Sequence, residues 1–206
     1  MTRGLQSPGG SSAGLVLAAG GSRRLGQPKQ LLPVEGHPLL GLVLAKVCAS
    51  ALDEVVLVLG AHADEILAAV DLGRARIVVN RDYAAGMSSS LRAGVGALGD
   101  QVERLVVILG DQPDISAVLI DELLDLQTSS GLSAAALSLE GMLHPPVVLD
   151  RSLWDDLRQL QGDVGCRAVI RGRPEQVAAL PLVGRKGHPT DIDTIDDYQQ
   201  LIGSAD

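Results

Sequence analysis

Five short, almost unbroken runs of Val, Leu, Ile and Ala recur along the chain, at residues 15–19, 55–59, 76–79, 105–109 and 134–139. A strand that is apolar on both faces must be covered on both, which is the condition of a parallel sheet sandwiched between helices. The segments between the runs carry helical spacing. Residues 38–51 are apolar nearly all round, as a deeply buried helix would be, and residues 87–98 put Leu91, Val95 and Leu98 on one face. Residues 114–127 do the same with Leu119, Leu123 and Leu126, and Asp114 is placed to cap the start. Strand and helix alternating at this pitch predict a three-layer α/β sandwich with a Rossmann-like, mostly parallel sheet.

The 206 residues suffice for one sizeable core and are short for two. Past Leu132 the pattern loosens, interrupted by Pro145, Pro146, Pro174, Pro181 and Pro189, and reads as a subregion added to the same sheet. The expected organisation is therefore one domain, residues 13–206, behind a tail of residues 1–12. That tail holds Pro8, Gly9, Gly10, Ser11 and Ser12 without a preceding apolar block, which predicts disorder and not a signal peptide. No segment reaches the ~20 apolar residues of a membrane span. Cys48 and Cys166 lie too far apart for a CxxC pair and read as buried thiols in a reducing cytoplasm. The net charge of −8 argues against a nucleic-acid partner, which would call for clustered Lys and Arg beyond the pairs Arg23-Arg24 and Arg185-Lys186. One triphosphate remains within reach of such a chain if positive charge is concentrated in a pocket or a divalent ion assists.

The first apolar run leads into Leu17-Ala18-Ala19-Gly20-Gly21-Ser22-Arg23-Arg24-Leu25-Gly26-Gln27-Pro28-Lys29. Small residues at the carboxyl end of a first parallel strand let the backbone approach a ligand, and free N–H groups there bind phosphate oxygens. Arg24 and Lys29 add the mobile positive charge a triphosphate requires. Gly21 and Gly26 have Walker spacing, but Gln27-Pro28 stands where Lys-Ser/Thr must follow, and no GxGxxG occurs.

The fourth run ends in Leu109-Gly110-Asp111-Gln112-Pro113, which places Asp111 in the same crevice as an oxygen ligand suited to Mg²⁺ on phosphates. Near the other end of the chain, Asp191 and Asp193 alternate onto one side of an extended segment. Thr194 and Asp197 there form a capping box, leaving Asp193 as the second metal or phosphate-site candidate.

The pattern Leu17-Ala18-Ala19-Gly20, then Arg24-Leu25-Gly26-Gln27-Pro28-Lys29, resembles the signature of nucleotidyltransferases that activate sugars, terpenoid precursors and molybdopterin. Gly110-Asp111-Gln112-Pro113, residues 160–167 (Leu-Gln-Gly-Asp-Val-Gly-Cys-Arg) and Asp191-Ile192-Asp193-Thr194 narrow the resemblance to the molybdenum cofactor cytidylyltransferases and their relatives. It spans residues 14–203. The resemblance implies the nucleotide-diphospho-sugar transferase fold and transfer of a nucleoside monophosphate to a phosphorylated acceptor, with Mg²⁺ as cofactor and molybdopterin as the implied acceptor. It implies nucleotide contacts at Leu17, Ala18, Ala19, Gly20, Gly21, Lys29, Gly86 and Ser90, and catalytic roles for Arg24, Lys29 and Asp111. Leu-Ala-Ala-Gly and Gln112 resemble the cytidylyl branch, which favours CTP over GTP; physically, the Ala19 methyl occupies space beside the base.

Two assignments stay open at the level of sequence. His144, in Gly141-Met142-Leu143-His144-Pro145-Pro146, lacks the glycine that the family usually places before the histidine, and is either a turn residue or an acceptor contact. Asp163 and Arg167 either pair with each other or contact the acceptor. Beside cytidylyl transfer to molybdopterin stand the same chemistry on a sugar or polyol phosphate, and a nucleotide-binding protein without turnover. A dinucleotide-dependent oxidoreductase is disfavoured by the missing GxGxxG.

Overall fold

The computed structural model describes residues 10–22, 25–182, 191–192 and 194–203. In chain order the elements are β1 (Ser11–Ala18), the hairpin β2 (Pro33–Val34) and β3 (His37–Pro38), α1 (Leu39–Cys48), β4 (Glu54–Leu59), α2 (Ala63–Ala69), β5 (Arg76–Val79), α3 (Met87–Gly96) and β6 (Val102–Leu109). They continue with α4 (Ala117–Ser130), β7 (Ala134–Leu139), β8 (Met142–Asp150), α5 (Trp154–Gln159), α6 (Arg167–Arg171), β9 (Val177–Pro181) and α7 (Ile195–Gly203).

Seven strands form one sheet in the order β5-β4-β1-β6-β8-β7-β9. All neighbouring strands are parallel except at β8, which runs antiparallel to both β6 and β7. The apolar runs are the strands, and their alternate residues feed two cores. Val16, Leu57, Leu59 and Ile108 pack under α1, α2 and α4, while Leu15, Leu17, Val56 and Val107 pack under α3, α5 and α6. The three-layer expectation holds, and β7, β8 and β9 extend the same sheet.

Three details differ from the sequence reading. Ser11 and Ser12 belong to β1, because Asp53 accepts both the Ser12 N–H (2.8 Å) and its hydroxyl (3.1 Å). The cap of α4 is Ser116, whose Oγ accepts the Leu119 N–H at 3.2 Å; Asp114 lies two residues too early. Pro145 and Pro146 do not interrupt the sheet. Pairing jumps from Ala136↔Val147 to Leu137↔His144, so the prolines sit in a bulge where no ladder donor is missed.

The chain crosses from β4 and β5 on one side of β1 to β6 on the other. The carboxyl end of β1 is therefore the topological switch point, where open α/β sheets form their ligand crevice. A third apolar cluster (Leu25, Leu32, Val34, Leu39 and Ile192, with Tyr198 and Leu201 against it) holds the start and end of the chain together beside that crevice. Tyr198 adds a hydroxyl bond to the Pro33 carbonyl at 2.6 Å, and the Thr194–Asp197 capping box forms as expected. No helix among the described residues is long and apolar enough to cross a membrane.

Candidate active site

The crevice holds two adjoining chambers of about 340 and 350 Å³ that share Leu17, Met87, Leu109, Asp163 and Asp191. The first is built on the loop after β1 and is lined by Leu17, Ala18, Ala19, Gly20, Lys29 and Asp111, with Gly86 and Ser90 opposite. The second opens toward His144, Cys166, Arg167 and Arg171.

Lateral bonds hold the loop open. The carbonyls of Leu17 and Ala19 accept the Gly110 and Ala61 N–H groups at 2.9 and 3.1 Å. From below, the Gln30 amide, 2% exposed, donates to the carbonyls of Ala18 (3.0 Å) and Gly20 (3.1 Å). Among the described residues no protein acceptor takes the N–H of Gly20 or Gly21, and the space where a Gly20 Cβ would sit is empty. Such N–H groups suit an anion. Gly21 itself lies one residue outside the chamber lining.

Pro28 leads into a short 3-10 turn, Lys29–Leu31, fastened by the Lys29 N–H donating to Ser22 Oγ at 2.9 Å. The turn sends Gln30 beneath the loop and the Lys29 side chain into the chamber, where its ammonium is ion-paired with the Asp111 carboxylate. Both side chains are largely buried. Each charge holds the other in place until a ligand offers Lys29 other oxygens.

Opposite the loop, α3 begins against the segment at residues 162–163. Gly86 has φ +98°, and a Cβ on it would lie 2.4 Å from the Gly162 backbone, so this entry tolerates only glycine. Asp163 accepts the Met87 N–H at 3.3 Å, and Gly162 accepts the Ser88 N–H at 3.2 Å. Asp163 thus caps a helix in place of pairing with Arg167. Asn80, 6% exposed, donates to Ser89 Oγ (2.8 Å) and Ser90 Oγ (3.0 Å), and so sets the Ser90 hydroxyl at the chamber wall.

Gln112 is 1% exposed and donates to Asp191 Oδ1 at 2.7 Å, while the Ile192 N–H reaches the Asp111 carbonyl at 3.4 Å. These bonds bring Asp191 into the chamber with Asp111. Gln112 itself does not line the chamber, so any effect of its identity on the base acts through Asp191. His144 sits within β8 and on the second chamber, not in a turn. Cys166 is buried there, and burial pushes its thiol pKa up to about 12 against the opposing charge of Arg167. Cys48 is only half-buried.

Of the residues singled out from sequence, Leu17, Ala18, Ala19, Gly20, Lys29, Gly86, Ser90 and Asp111 meet in the first chamber. Arg24 and Asp193 lie outside the described residues. Sequence reasoning missed Gln30, Asn80, Tyr83 and Arg171, and passed over Asp191 for its neighbour. Gln30 carried no distinct local signal, since it follows the charged Lys29 at the end of a polar stretch.

A family model described as the MobA-like NTP transferase domain matches residues 14–179. Nicotine blue oxidoreductase of Paenarthrobacter nicotinovorans is 33% identical over 198 residues, covering 92% of this chain and 95% of that protein. A solved structure of the Mycobacterium tuberculosis Rv0371c homologue from Mycobacterium sp. strain JC1 superposes with TM-score 0.83 at 34% identity, over 94% of this chain and 96% of that one. Rv0371c of M. tuberculosis in complex with manganese gives TM-score 0.81 at 29% identity, over 94% and 99%. The sheet order and these neighbours are those of the nucleotide-diphospho-sugar transferase fold.

Proposed function

We propose, from the premise that the chain belongs to the MobA-like NTP transferase family and is a nucleotidyltransferase, that it transfers CMP from CTP to a phosphorylated acceptor of molybdopterin type in the cytoplasm, with Mg²⁺. One observation carries the reading: the Lys29–Asp111 pair stands in a chamber whose loop offers the Gly20 N–H to an anion.

In the proposed reaction an oxygen of the acceptor phosphate attacks the α-phosphorus. A new P–O bond forms, the bond to the β-phosphate oxygen breaks, and pyrophosphate leaves with that electron pair. The chain supplies no nucleophile; it positions the two reactants and neutralises charge. Lys29 turns from Asp111 to the β- and γ-oxygens and stabilises the leaving group, with Arg24 assigned the same task. Gly20 donates to phosphate, and Ser90 with Gly86 borders the nucleoside.

Asp111 and Asp191 supply carboxylate oxygens in one chamber, which fits Mg²⁺, an ion held by one or two carboxylates plus substrate phosphates. When bound, the cation neutralises phosphate charge. Asp193 is the further candidate ligand, and the manganese complex of Rv0371c supports a divalent ion. The Ala19 methyl on the chamber wall favours the smaller pyrimidine, a discrimination of about 1–3 kcal/mol.

Competition between CTP and GTP for the Mg²⁺-loaded protein tests the donor, and tighter GTP binding overturns it. A sugar or polyol phosphate is the alternative acceptor. The relative named as an oxidoreductase favours a second reading, reduction with a nicotinamide cofactor. NADH or NADPH binding at the first chamber, displaced by CTP, would establish that reading; its absence removes it.

A further inference from the structure

The second chamber carries charge that the nucleotide does not use. α6 turns Val169 and Ile170 (6% and 1% exposed) into the core and leaves Arg167, Ala168 and Arg171 on the chamber side. Residues four apart on a helix are neighbours, so the two exposed arginines leave α6 from adjacent positions on one face. Among the described residues neither makes a hydrogen bond or ion pair. Arg76, Arg151, Arg158 and Arg173, by contrast, each hold a carboxylate.

The chamber's own acids are engaged elsewhere: Asp163 accepts the Met87 N–H, and Asp191 accepts the Gln112 amide. The chamber lining also includes the apolar side chains of Leu17, Val107 and Leu109, which screen the two cations poorly. In a chain of net charge −8, two adjacent cations that no carboxylate contacts, at a cavity of about 350 Å³ whose two aspartates are bonded to other groups, describe an anion seat.

We propose that Arg167 and Arg171 hold a second oxyanion of the acceptor, distinct from the phosphate that attacks. This rests on the nucleotidyl-transfer reading for the identity of the occupant. The attacking phosphate must reach Lys29 and Asp111, which line only the first chamber, whereas both arginines line only the second. The acceptor therefore carries anionic groups at two separated positions, and an acceptor with a single phosphate leaves the arginine seat empty.

The test titrates inorganic phosphate by calorimetry at ionic strength fixed with chloride, in a Lys29→Ala background that removes the lysine of the first chamber. One saturable site is expected. Arg171→Gln should weaken it about tenfold, the Arg167→Gln/Arg171→Gln double variant should abolish it, and Arg171→Gln alone should leave CTP·Mg²⁺ affinity unchanged. No saturable phosphate site, or equal affinity in all variants, overturns the proposal. A phosphate site lost with the arginines in a protein that binds no nucleotide keeps the seat and refutes the nucleotide reading instead.

Discussion

Lys29 and Asp111, 82 positions apart, are ion-paired inside the chamber at the carboxyl end of β1. The two residues assigned to triphosphate and metal thus neutralise each other in the ligand-free chain, and ligand binding must exchange this contact for others. The exchange makes their substitutions separable.

Lys29→Ala should weaken CTP binding about ten- to a hundredfold, equivalent to ~1.5–3 kcal/mol for a charge-assisted contact. CMP, which lacks the β- and γ-oxygens, should lose little. Calorimetry with both ligands checks this, and equal losses would place Lys29 away from the polyphosphate.

Asp111→Ala should abolish metal-dependent turnover, the loss being several kcal/mol of transition-state stabilisation. The circular dichroism spectrum should not change, because Asp111 packs at the chamber wall and not within either core. Near-normal pyrophosphate release from a folded variant would sink the assignment.

Gln30→Ala removes the donor to two loop carbonyls and should cost about 1–3 kcal/mol in urea denaturation. Nucleotide affinity should fall with it, because the loop loses its support. Unaltered stability would mean that other contacts hold the loop.

How much of this was legible beforehand differs by residue. The central strands could be read because burial on both faces writes an unbroken apolar run into local sequence, while the edge strand β5 keeps the run with Val79 51% exposed. Lys29 and Asp111 were readable because each follows such a run, in a spacing that resembles a known signature. The Gln112–Asp191 bond joins residues 79 apart with no periodicity linking them, so Asp191 was indistinguishable from Asp193. The anchoring of Ser90 by Asn80 was hidden for the same reason, since an asparagine after a strand reads equally as a turn. Pro145 and Pro146 misled because a bulge that spares their missing donors depends on the register of a partner strand.

Cys166 predicts a pH dependence. Its folded pKa of about 12 lies above the ordinary unfolded thiol value of ~8.5. Above pH ~8.5 the unfolded state loses the proton first, so stability is full below that value and falls toward pH 12 by up to ~1.4 kcal/mol per unit. Denaturation midpoints across pH 8–11 should decline less steeply in Cys166→Ala. Identical slopes in the two proteins would contradict the burial argument.

Nucleotidyl transfer leaves two products that can be counted against each other. The protein, CTP, Mg²⁺ and molybdopterin are combined, pyrophosphate is quantified, and the acceptor is examined by mass spectrometry. One CMP unit should be added to the acceptor for each pyrophosphate released, and neither product should form with Asp111→Ala. Nucleotide binding without pyrophosphate from any of the four nucleoside triphosphates, or consumption of NADH in place of CTP, would contradict nucleotidyl transfer.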